Sequence, residues 1–141
     1  MTHDEAALTV AGSPVRLYRA GAGPDLVLLH GEPGPARPTW EPVWPAVTRY
    51  AHVVAPDLPG FGGTPLGSTG RTLSGYRSWL LMFLDACGLA AATVAGLGLG
   101  FEIARGVTAP LRLASPADVL RYVGPEATAG PARPATTGPA W

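Results

Sequence analysis

Three short apolar runs constrain this chain more than any other feature: LVLLH (26–30), HVVAPD (52–57) and ATVAG (92–96). Each is short for a helix and nearly continuous in hydrophobic residues, which is the composition of a strand covered on both faces of a sheet. Between the second and third runs lies GYRSWLLMFLDACGL, where Trp79, Phe83 and Cys87 recur at helical spacing beside Leu80 and Leu84, and Gly88 is placed to end the helix. FEIARGV reads as a further helix, and DVLRYVG (118–124) as a sixth strand. At the start of the chain, ALTVAG and VRLYRAG, separated by Ser13 and Pro14, read as a hairpin. TWEPVWPAVTRY reads as a short helix opened by Thr39 and confined or split by Pro42 and Pro45. Strands alternating with helices in this way predict an α/β fold, a mostly parallel sheet with flanking helices.

Composition narrows the partners. The chain has 141 residues, suiting one domain, and 47% hydrophobic residues supply a moderate core. Formal net charge is zero with 14% charged residues, so no basic field is present to attract nucleic acid or anionic lipid. A small apolar or ester-like molecule fits better. No cofactor and no metal centre are expected. Cys87 is the only cysteine, which excludes an intrachain disulfide, and it reads as a small buried hydrophobe. MTHDEAALTV lacks the features of a signal peptide, and no apolar run approaches the roughly 20 residues that span a bilayer. These features predict a cytoplasmic protein without membrane contact. Lys, Asn and Gln are absent while Ala, Gly, Pro and Arg abound, the residue preferences of a GC-rich, bacterial gene. Residues 1–123 are expected to form the core. Residues 124–141, GPEATAGPARPATTGPAW, read as a low-complexity, disordered tail or as an out-of-frame stretch.

Chemistry on a parallel sheet sits beyond the carboxyl ends of its strands. Three loops fall there: His30-Gly31-Glu32-Pro33-Gly34, Asp57-Leu58-Pro59-Gly60-Phe61-Gly62 and Gly96-Leu97-Gly98-Leu99-Gly100. The last invites two readings, a hydrolase turn without its nucleophile or a glycine loop for a phosphate. The dinucleotide pattern Gly-x-Gly-x-x-Gly fails in both registers, because Phe101 or Ile103 stands where its third glycine belongs. Asp118 follows at the distance of a ribose-binding acid, but before the next apolar run and not at its end.

LLHGEPG, then APDLPGFG, then the helix ending FLDACGL, then VAGxGxG, resemble in order and spacing the first half of an α/β-hydrolase, over about residues 7–123. HGEP followed by a tryptophan is similar to the haloalkane dehalogenase and epoxide hydrolase branches, although GPAR intervenes before Pro38-Thr39-Trp40. The resemblance implies an oxyanion hole built from the backbone N–H groups of Glu32 and Leu99, with His30 and Gly31 shaping the loop. It makes His30 structural and not a base, and Asp57 a cap for its own loop. Gly96 and Gly100 would be required by crowding at the elbow, and Gly98 would occupy the position of the nucleophile, supplying the turn without the oxygen.

The family's acid and histidine follow the nucleophile, whereas His3, His30 and His52 all precede it and Asp118 is the only later aspartate. The chain ends where the family's lid and last two strands would begin. These departures predict a truncated, catalytically disabled relative of hydrolases acting on esters, epoxides or carbon–halogen bonds. Two other readings stand beside it: a non-enzymatic module binding a ligand or partner, and a hydrolase active through a non-standard site or a complementing chain. Ser74 is expected to cap the long helix, Ser78 and Ser115 are weak nucleophile candidates, and Trp40 and Trp44 are expected in the core. An open edge at the sixth strand predicts self-association or a partner chain.

Overall fold

The computed structural model describes Met1 and residues 4–124. Two strands, β1 (Asp4–Val10) and β2 (Ser13–Ala20), form the expected hairpin. The turn is Ala11-Gly12 and not Ser13-Pro14. Both turn residues have positive φ, 51° and 80°, the two-residue geometry whose twist suits a hairpin. Ser13 and Pro14 instead open β2, opposite Val10 and Thr9.

The three apolar runs become β3 (Asp25–Leu29), β4 (His52–Pro56) and β5 (Thr93–Leu97). With the three-residue β6 (Leu111–Leu113), they make the parallel part of a six-stranded sheet in the order β1-β2-β4-β3-β5-β6. Strand alternation divides the core in two, because successive side chains point to opposite faces. Val27, Leu29, Val54 and Val94 face one layer, while Leu26, Leu28, Val53, Ala55 and Ala95 face the other. Burial on both sides explains why these strands read as continuous apolar runs.

The first layer is built by α3 (Leu73–Ala86) and α4 (Gly98–Ala104). Helix α3 buries Tyr76, Trp79, Leu80, Phe83 and Leu84, one stripe of the helical period. Its start is capped by Thr72, whose Oγ1 accepts the Gly75 N–H at 3.0 Å, so Ser74 is not the cap. At its end the Leu89 N–H reaches the Leu84 carbonyl and the Gly88 N–H reaches Asp85, the paired bonds that close a helix on glycine. The second layer is built by α1 (Ala36–Trp40), α2 (Trp44–Val47), a 3-10 turn (Pro116–Val119) and the α5 segment (Leu120–Val123) that continues it. Trp40 and Trp44 are fully buried here, as expected of core residues.

Two expectations are corrected in this layer. The helix expected to open at Thr39 starts at Ala36, and the segment is split in two, one of the outcomes expected of its prolines. Pro45 lies in the opening turn of the second, where its missing N–H is harmless. Of the residues 118–124 read as a strand, 118–123 are helical, and the sixth strand is LRL at 111–113. Ser115 and Asp118 form a reciprocal capping box, Asp118 Oδ2 accepting the Ala114 and Ser115 N–H groups at 2.9 and 3.0 Å. Val119 and Val123, four apart, both turn into the core, so the apolar pattern was helical. The segment therefore covers a sheet face, and the exposed edge of the described sheet falls on three-residue β6. The tail expected over residues 124–141 lies, apart from Gly124, outside the described residues.

Candidate functional site

The chain passes from β3 to its neighbour β4 and then crosses to β5 on the other side of β3, so the strand order reverses between β3 and β5. The loops leaving the carboxyl ends of such a pair diverge and open a crevice. A cleft of about 300 Å³ lies there, lined by Gly31 to Gly34, Pro38 and Thr39 on one side and by Leu97 and Gly98 on the other. Of the residues singled out in the sequence, Gly31, Glu32 and Gly98 are thus brought to one cleft. Pro38 and Thr39 line it as well; only their closeness to the HGEP loop hinted at this. Thr39 lies inside α1, its hydroxyl donating to the Pro35 carbonyl at 2.7 Å.

Buried polar side chains hold the cleft's first wall. His30 is fully buried. Its Nε2 accepts the Leu58 N–H at 3.0 Å, which forces the ring proton onto Nδ1, where it is donated to the Gly31 carbonyl at 2.7 Å. Burial lowers the His30 pKa, opposed by the Gly31 bond and the Asp57 charge. Both ring nitrogens are committed to backbone partners, which is a structural role. Asp57, also buried, accepts the Ala36 N–H on Oδ1 and the Gly63 N–H on Oδ2, each at 2.9 Å. It ties the loop after β4 to the start of α1, as expected of a cap. Beside them the Tyr76 hydroxyl donates to the Pro59 carbonyl at 2.7 Å; burial raises its pKa.

Glycines hold the other wall. A side-chain carbon at Gly96 would stand 2.5 Å from the Phe101 nitrogen, and one at Gly100 would stand 2.4 and 2.6 Å from the Leu29 and His30 carbonyl oxygens. Backbone cannot yield there, so these two positions exclude every side chain. Gly98 between them is different. Its φ is +43°, and a carbon added to it meets nothing within 4 Å. It is the one point of the turn from which a side chain would project freely beside the cleft. Leu99 follows in the first turn of α4, where an amide has no partner within its own helix.

The remaining candidates lie elsewhere. Ser74 and Ser78 are exposed on α3, and Ser115 is the cap of its 3-10 turn. His52 sits at the amino end of β4, at the opposite end of the sheet, with Nδ1 2.8 Å from Asp25 Oδ1. His3 lies outside the described residues. Cys87 is buried and its thiol pKa is pushed up to about 12, chiefly by desolvation, so it is a poor nucleophile. Among the described residues no group of three His, Cys, Asp or Glu side chains is placed to hold a metal ion, and no helix is long and apolar enough to cross a membrane.

No family model matches the sequence. It is 48% identical over 52 residues to pimeloyl-[acyl-carrier protein] methyl ester esterase of Aeromonas hydrophila, a stretch covering 37% of this chain and 20% of that one. It is 36% identical over 112 residues to the dihydrolipoyllysine-residue acetyltransferase component of the acetoin cleaving system of Cupriavidus necator, covering 79% of this chain and 29% of the relative. Among solved structures, epoxide hydrolase A from Mycobacterium thermoresistibile superposes with a TM-score of 0.66 at 28% identity, covering 75% of this chain and 34% of that one. A haloalkane dehalogenase from Bradyrhizobium elkani gives 0.65 at 26% identity, covering 72% and 35%. The chain spans between 20% and 34% of the length of the curated relatives it matches. Strand order, the loop after β3, the glycine elbow after β5 and these likenesses converge: the chain belongs to the α/β-hydrolase family and carries the amino-terminal part of its fold.

Proposed function

We propose that this chain binds a small carbonyl-bearing molecule in the cleft between β3 and β5 without cleaving it, as a hydrolase-family site whose elbow lacks a nucleophile. One observation carries the reading: Gly98 has the positive φ and the open space of a nucleophile position and no atom with which to attack. In this reading the backbone N–H groups of Glu32 and Leu99 form the oxyanion site and hold the ligand's oxygen. The likeness to a methyl ester esterase supports an ester as the ligand class. The placement of the two described histidines supports the loss of catalysis independently, because His30 has no free nitrogen and His52 is paired at the far end of the sheet.

The test uses p-nitrophenyl acetate with the 141-residue chain and its Gly98→Ser variant. Neither is expected to hydrolyse the ester faster than buffer, and no acetylated protein is expected by mass spectrometry. Turnover by the unaltered chain that disappears when a cleft residue is changed would overturn the proposal.

A further inference from the structure

We propose that Glu32 sets the charge preference of this cleft, so that it takes neutral acyl compounds such as amides and esters and turns away carboxylate anions. The inference rests on the cleft being the ligand site argued above. Backbone donors alone would favour an anion, which makes the charge of the lining decisive. Among the described residues, Glu32 is the only ionisable one that lines the cleft. It is exposed on the loop after β3, and among the described residues it makes no ion pair.

Neither neighbouring cation forms an ion pair with Glu32. Arg37, next to the lining residue Pro38, directs Nε to Glu41 Oε2 at 3.1 Å, and the same oxygen receives the terminal amine at 3.2 Å. Arg71 lies over the loop after β4, by Gly60, and with Glu32 it acts on Tyr76. Asp57, bonded to the start of α1, is a second carboxylate behind this loop, its two oxygens already occupied by backbone N–H groups. A bound carboxylate therefore meets an unneutralised charge of its own sign, whereas an amide carbonyl uses the same donors without that repulsion. For partly screened charges a few ångströms apart, the discrimination is about fivefold to tenfold in affinity.

Acetate and acetamide are nearly equal in shape and differ in charge, and they are the probes. Their binding to the 141-residue chain is followed by the NMR shifts of the Glu32, Gly98 and Leu99 amides, alongside Glu32→Gln. Acetamide is expected to bind about five times more tightly than acetate at low salt. That ratio should fall toward one in Glu32→Gln and, in the unaltered chain, in 1 M salt, a readout that needs no variant to fold. Equal affinities in the unaltered chain at low salt, or acetate the tighter, overturn the role of Glu32 and leave the cleft a ligand site. If neither probe moves these amides, the reading of the cleft fails and the charge preference fails with it.

Discussion

The two loops that meet at the cleft are held by opposite means. After β3, buried polar side chains wire the chain down: His30 bridges Gly31 and Leu58, and Asp57 reaches Ala36 and Gly63. After β5 the turn has no side-chain cap, and its shape depends on the absence of carbon atoms at Gly96 and Gly100. One wall is thus sensitive to the loss of a hydrogen-bonding atom or to a proton, and the other to a single methyl group. Of its three glycines, only Gly98 leaves room for a side chain. A wall of this kind can change its side chain at one position and keep the rest of its architecture.

The largest effect expected from this contrast is at Gly100. Gly100→Ala forces a carbon into two carbonyl oxygens and should cost about 4 kcal/mol or leave no soluble protein. Gly98→Ala should cost about 1 kcal/mol, from its positive φ alone. Urea unfolding of both variants measures the difference, and equal losses would break the distinction between crowded and open glycines. Next comes the polar wall. Asp57→Ala orphans two N–H groups and is expected to cost about 3 kcal/mol, while Asp57→Asn, which keeps one acceptor oxygen, should cost about half as much. Similar losses in both would mean that space, and not hydrogen bonding, matters there.

The smallest effect is a pH dependence confined to the first wall. Because the folded pKa of His30 is lowered, the unfolded chain binds more protons than the folded one as pH falls through the ordinary histidine value of about 6.5. Stability contributed by neutral His30 is present above that pH and is lost below it. Urea midpoints at pH 7.5 and 5.5 should therefore fall on acidification, and fall less in His30→Gln. An unchanged slope in that variant would remove His30 as the source. Elbow variants such as Gly98→Ala should keep the slope of the unaltered chain.

Most of this architecture was legible along the chain. The three parallel strands, helix α3 and the elbow declared themselves because burial on both faces demands continuous apolar residues and burial on one helical face demands a 3.6-residue period. Residues 118–124 read as a strand in the sequence because a short run with two buried valines fits a strand until the Ser115–Asp118 cap is recognised as a helix start. The hairpin turn was misplaced because Ser-Pro is the stronger turn signal in composition, while pairing across β1 and β2 places Ala11 and Gly12 at the bend.

By itself the sequence determined the layers, the order of the three loops and the glycine-rich turn after β5, since these depend on local pattern and residue identity. Which loops meet, which glycine faces open space and which nitrogens of His30 are occupied were decided only by the tertiary structure. The crossover that places β5 beside β3 brings together residues more than sixty positions apart, and steric room and hydrogen-bond partners at such a junction are properties of neighbours in space.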